Sequence, residues 1–204
     1  MTHPSLDAGV RGRACRSAVL LICMAGLLQL AGCAEMRMGQ PTATIENAAK
    51  LRGAGLAPVE VGRFIPDPTK GAGLDQGVSI RSNKLRSPVE DSFAQYLRQT
   101  LRVELASAGL LDPGADAVVT GVLSDSQVDA PIGQGTASLG ARFVVTRAGN
   151  VRYDKQLDVN ATWDSPFVGA VAIPQAAGQY EALYRKLVGV LLVDPAFQSA
   201  LAKP

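Results

Sequence analysis

The chain has 204 residues, 47% of them apolar, with 20 Lys+Arg against 18 Asp+Glu for a formal net charge of +2. Its one histidine is His3, and its three cysteines, Cys15, Cys23 and Cys33, all fall within the first 33 residues. Everything downstream lacks imidazole and thiol, which excludes Cys–His and Ser–His nucleophilic machinery, Cys- or His-ligated zinc and c-type haem attachment. Carboxylate-based and Ser–Lys chemistry stay open, although no local pattern announces either.

The first predicted element is a leader. Arg11, Arg13 and Arg16 precede the apolar run "SAVLLICMAGLLQLAG", residues 17–32. That run is short for a bilayer span, which needs about 20 apolar residues. A basic start, an apolar centre and a small-residue exit describe a secretory signal peptide. Its end, Leu30-Ala31-Gly32-Cys33, resembles a bacterial lipobox. The resemblance implies a diacylglyceryl group on the Cys33 sulfur, cleavage before Cys33 and acylation of the new amino terminus by palmitate or a similar chain. Each buried methylene contributes about 0.8 kcal/mol, so two or three chains on one residue hold a protein on a membrane without spanning it. Ala34 follows the cysteine. In the sorting system of many Gram-negative bacteria an Asp there retains a lipoprotein in the inner membrane, so Ala34 implies the outer membrane, periplasmic face, with the inner membrane as the alternative.

Without residues 1–32 the chain loses three Arg and one Asp, leaving 17 charges of each sign in 172 residues. There is no net positive field to support a nucleic-acid partner. That length suits one domain. Residues 33–57, rich in Ala, Gly and small polar residues, read as the lipidated terminus and a flexible spacer, with room for a short helix over "TIENAAKLR" stopped by Gly53. A single domain is expected over 58–204.

Within it, Val59, Val61 and Ile65 alternate as a strand closed by Pro66-Asp67-Pro68. A Gly-rich connection leads to "VSIRS", a candidate edge strand. Ser87-Pro88-Val89-Glu90 has the form of a capping box with Pro at the first helical position. The helix it opens puts Phe93, Leu97, Leu101 and Leu105 on one stripe, with a left-handed stop at Gly109 and Leu110 folding back. "DAVVTGVLSDSQV" is apolar on both faces over 117–123, as an inner strand would be. "TASLGARFVVTRAG" aligns Leu139, Ala141, Phe143 and Val145, with Gly133-Gln134-Gly135 before it as a hairpin loop. After the turn at 147–150, Val151, Tyr153, Leu157, Val159, Ala161 and Trp163 alternate with polar residues, Lys155 being the exception on the apolar side. One polar face implies a sheet covered on one side only. A second helix is expected from about Pro174 to Leu192, with Asp194-Pro195 ending it.

The fold class is therefore α+β: an antiparallel sheet of about four to five strands with two helices on one face, in the order β-α-β-β-β-α with room for one extra early strand. Together with the anchored cysteine, this order resembles small Gram-negative periplasmic lipoproteins: the YajG-like, ABC-transport auxiliary and lipopolysaccharide-assembly group. The resemblance implies a non-enzymatic accessory or adaptor of envelope assembly or transport, partnered by an envelope protein, without cofactor or metal. A carrier of a lipid or other hydrophobic ligand is the alternative, and a carboxylate or Ser–Lys hydrolase a distant one.

Two segments are candidate interaction sites. Arg81, Lys84 and Arg86 in "RSNKLRS" read as a solvated basic loop, or as an anion site ahead of a helix N-terminus. "PFVGAVAIP", with Phe167, Val168 and Val171, reads as core tucked under the second helix, or as an exposed patch for a partner or acyl chain. Asp154 and Asp158, four residues apart on one strand face, are about 13 Å apart and too distant for a glycosidase pair.

Overall fold

A computed structural model describes residues 35–203. The leader, the lipobox and Cys33 lie outside the described residues. Strands are β1 (Glu35–Arg37), β2 (Glu60–Pro66), β3 (Val78–Ile80), β4 (Asn83–Arg86), β5 (Ala117–Asp129), β6 (Gly133–Arg147) and β7 (Asn150–Ser165). Helices are α1 (Ile45–Leu51), α2 (Gly73–Gln76), α3 (Phe93–Ser107), α4 (Gly169–Val193) and α5 (Pro195–Ala200).

The fold is α+β, with the main sheet in the order β2-β5-β6-β7. β5, β6 and β7 form the expected antiparallel meander, but β2 pairs parallel to β5. The all-antiparallel expectation is corrected to a mixed sheet. The chain between β2 and β5 crosses through α3, and such a crossover returns a strand in the same direction. β1, β4 and β3 form a separate three-stranded sheet, β1 parallel to β4 and β3–β4 a hairpin. "RSNKLRS" is thus the turn and second strand of that hairpin, not a loop.

Helices α3 and α4 cover one face of the main sheet, α3 against β2 and β5 and α4 against β6 and β7. Leu139, Ala141, Phe143 and Val145 are fully buried there, as are Phe93, Leu97, Leu101 and Leu105 from α3. Ala177 and the residues at 180, 183, 184, 187 and 191 of α4 complete the stripe. A bulge between Leu123 and Asp125 shifts the phase of β5 and turns Ser126 inward. The turn after β6 uses Ala148 and Gly149 in left-handed conformations, which suits a tight hairpin. A register shift beside it leaves Val151 exposed, unlike the rest of its predicted face.

Four other expectations are corrected. The first helix is capped by Ser92, whose side chain accepts from Gln95 N at 3.1 Å. Ser87 instead closes a turn on Val89, and Glu90 and Asp91 take positive φ. The second helix begins at Gly169, with Pro174 inside it. Gly133–Gly135 belongs to β6, where Gly135 opposes Trp163.

The last correction is the largest. Residues 35–57 are not a flexible spacer. β1 pairs with β4, and Met38, Ala48, Leu51 and Leu56 are buried. Thr44 caps α1, accepting from Asn47 N, and both residues bond the fully buried Glu104 carboxylate. The segment also pairs with the far end of the chain: Ala57 N donates to Leu201 O at 2.7 Å and Lys203 N to Gly55 O at 3.2 Å.

Candidate interaction surface

The two segments singled out in the sequence meet at one end of the main sheet. Arg81 sits in the β3–β4 turn with φ 53°, a backbone few non-glycine residues adopt. Its side chain crosses to two loops. Nε donates to Ala130 O at 2.8 Å, Nη1 to Phe167 O at 3.0 Å and Nη2 to Pro166 O at 2.6 Å, with Ser165 Oγ at 3.4 Å. A planar guanidinium has five donors in a fixed fork, so it can tie several carbonyls at once where an ammonium could not. The β5–β6 and β7–α4 loops are thereby held side by side, as Gly133 opposite Ser165 also requires.

What these loops present outward is apolar. Phe167 is 77% exposed, Ile132 65%, and Val168 and Val171 55% each. Val168 and Val171 share one side of the first turn of α4, Val171 N donating to Val168 O at 3.0 Å. The core reading of "PFVGAVAIP" is therefore corrected for its first half. Ala172 turns inward and is fully buried, whereas Phe167, Val168 and Val171 face water.

The basic cluster does not converge on an anion. Arg81 is engaged by carbonyls, and Arg86 forms an ion pair with Glu35. Lys84 lies across Gly77, where an added Cβ would come within 2.7 Å of Lys84 Cε. The N-terminus of α3 already has its anion: Asp75 Oδ1 accepts from Ala94 N at 2.7 Å. The chain's own carboxylate fills the position a phosphate would take.

Elsewhere, buried hydroxyls form a closed chain, while the Trp163 Nε1–H is buried without a partner among the described residues. Ser126 Oγ and Tyr180 OH lie 2.6 Å apart and Tyr180 OH and Tyr184 OH 2.8 Å apart, within an aromatic cluster that includes Phe93 and Tyr96. Burial raises the pKa of all three tyrosines, that of Tyr96 to about 12. They are neutral packing groups, with the hydroxyls of Tyr180 and Tyr184 joined to each other and to Ser126. Between sheet and helices, Phe64, Phe93, Phe143, Tyr96, Tyr180 and Tyr184 fill the layer. On the outer face, Asp154 is taken by Arg142 through two bonds, which lower its pKa. Asp158 accepts from Gln156. Among the described residues, no three His, Cys, Asp or Glu side chains gather into a metal-binding group, and no helix is long and apolar enough to cross a membrane.

Sequence reasoning missed Ile132 and the buried Glu104. Glu104 follows Tyr96 and Thr100 in the four-residue row beside the apolar stripe, a position at which a carboxylate must be satisfied from inside. Ile132 ends the three-residue loop Ala130-Pro131-Ile132, which is too short to give a periodic signal.

No family model matches the chain. No curated protein matches it either. Among solved structures, it is similar to a DUF330 protein from Xanthomonas campestris, at 10% identity and a TM-score of 0.48, over 78% of this chain and 92% of that one. A lipoprotein from Caulobacter crescentus is 16% identical with a TM-score of 0.44, over 78% and 98%. Rare lipoprotein B from Shewanella oneidensis is 13% identical with a TM-score of 0.38, over 60% and 91%.

Proposed function

We propose that the chain is a lipid-anchored lipoprotein of a Gram-negative envelope, facing the periplasm and acting as a non-enzymatic accessory or adaptor through its surface. The observation that carries this reading is Leu30-Ala31-Gly32-Cys33 at the end of a basic and apolar leader. A membrane is the partner through the lipid on Cys33, and an envelope protein is the partner of the folded domain. Ala34 favours the outer membrane over the inner. The packed aromatic layer between sheet and helices favours an adaptor over a carrier with an internal ligand.

Radiolabelled palmitate tests the anchor. The wild-type chain is expected to incorporate label, and Cys33→Ser to incorporate none and keep its leader. Equal labelling of both would overturn the reading. Sorting is tested separately by fractionation in a host that retains Asp-bearing lipoproteins. Wild type is expected with the outer membrane and Ala34→Asp with the inner, at equal abundance. Both versions banding with the inner membrane would reassign the accessory to that membrane.

A further inference from the structure

The point where the chain enters the fold and its cluster of exposed apolar residues lie at the same end of the domain. β1 runs parallel to β4, Glu35 opposite Lys84 and Arg37 opposite Arg86. Its first residue therefore stands toward the β3–β4 turn, which carries Arg81, and Arg81 is bonded to the carbonyl of Phe167. Cys33 is two residues before Glu35, so the two Cα atoms are separated by at most about 7 Å. A lipid on Cys33 would enter the bilayer close to this end.

We infer that Ile132, Phe167, Val168 and Val171 form a second membrane contact, docking on the surface of the bilayer in which Cys33 is anchored. The inference rests on the anchored reading. A tether of two residues keeps the domain against the bilayer, so side chains at the tethered end meet lipid at an effective concentration that a freely diffusing partner does not match. Apolar side chains presented on adjoining loops and a first helical turn can enter the boundary between headgroups and acyl chains, where buried apolar area sets the strength of binding. Of the basic residues nearby, Arg81 is tied to backbone carbonyls and Arg86 is paired with Glu35. The contact is therefore apolar in character and insensitive to salt. Docking fixes one orientation of the domain, with the β6–β7 turn pointing away from the membrane.

The test uses the full chain, made with its own leader, purified in detergent and weighed by mass spectrometry. It is then reconstituted into vesicles of phosphatidylethanolamine and phosphatidylglycerol. Apart from Cys33 the chain after the leader has no cysteine, so Val168→Cys or Asn150→Cys takes a single nitrobenzoxadiazole dye. The two positions lie near opposite ends of β7, whose 16 residues span about 50 Å. Nitroxide lipids labelled high on the acyl chain are expected to quench the dye at 168 several-fold more than at 150, at low and high salt alike. Phe167→Asp combined with Val171→Asp is expected to bring the dye at 168 down to the level at 150, while the protein stays on the vesicle with an unchanged melting temperature. Equal quenching at the two positions in lipidated protein would overturn the docking. So would energy transfer between dyes at 168 that persists on dilution of protein in the bilayer, because that assigns the patch to a second copy. An unmodified Cys33 in the mass spectrum would overturn the anchor itself, and the docking with it.

Discussion

Asn47 Nδ2 donates to Glu104 Oε1 at 2.9 Å across 57 residues of sequence, joining α1 to the middle of the fold. The same carboxylate accepts from the backbone and the hydroxyl of Thr44 at 3.0 and 3.1 Å. A fully buried carboxylate is tolerated because these donors replace water. Removing it leaves the donors behind, each at a desolvation cost of roughly 1–3 kcal/mol. Glu104→Ala is expected to lower stability by about 2–4 kcal/mol in urea titrations. Hydrogen exchange should rise first in residues 44–51. Exchange there no faster than in β6 would show that α1 is held by something else.

Arg81 makes the corresponding link at the apolar end. Arg81→Ala should free the loops around 130–132 and 165–168, with faster exchange and new proteolytic cuts there, at a cost of about 1–3 kcal/mol. Arg81→Lys should recover little of this, because one ammonium cannot reach the three carbonyls the guanidinium spans. Full recovery by Lys would mean that charge, not the fork, matters.

Gly135 exists to make room for an indole. A Cβ built there falls 2.3 Å from Trp163 Cε2, so Gly135→Ala must displace the ring or the strand. An overpacked site of this kind costs about 1–3 kcal/mol. Trp163 is the sole tryptophan, so its emission reports the event directly. A red shift with lost stability is expected, and an unchanged spectrum would contradict the close approach.

Asp194 gives the domain an acid-sensitive joint. It caps α5 through Ala196 N at 2.9 Å and accepts from Lys155 Nζ at 2.7 Å and, weakly, from Tyr153 OH at 3.3 Å. The Lys155 bond holds its pKa below the ordinary carboxylate value, against the raising effect of burial. A depressed carboxylate stabilises the fold above its unfolded pKa of about 3.9, and that stability drains away as pH falls through the lower folded value. Lys155 is half exposed, so Lys155→Met should cost under about 1 kcal/mol at neutral pH. It should also flatten the loss of stability below about pH 4. Asp194→Ala, which removes the cap as well, should cost about 1–2 kcal/mol. Identical acid unfolding curves for wild type and Lys155→Met would remove the pair from the account.

The parts of this fold legible in the sequence are those written as a period. Phe93, Leu97, Leu101 and Leu105 announce α3, and the alternation from Tyr153 to Trp163 announces β7 and its single polar face. Direction and partner are not written that way. "VEVGRFI" reads as a strand whether its neighbour runs with it or against it, so the parallel pairing of β2 stayed hidden. Met38, Leu51 and Leu56 are too widely spaced to form a period, and only the finished fold shows that they are core. Ser87 and Ser92 both offer a helix cap. The second serves because Phe93, directly after it, is fully buried. At the candidate surface, the unbroken apolar run 166–174 carries no alternation to say which side chains face water. Arg81 was visible as a charge, but its role as a tie between two loops is entirely non-local.

The pairing of residues 201–203 with 55–57 bears on when this domain can be completed. Synthesis delivers the β1–α1 segment first and its partner in this pairing about 145 residues later. Until Leu201 has been made, Ala57 N has no acceptor and the buried face of Leu56 stays open. A nascent chain therefore stays unfinished until almost its last residues are made. For the exported lipoprotein proposed above, late closure suits threading across a membrane in an extended state, since a domain that closed early on the near side would block its own export.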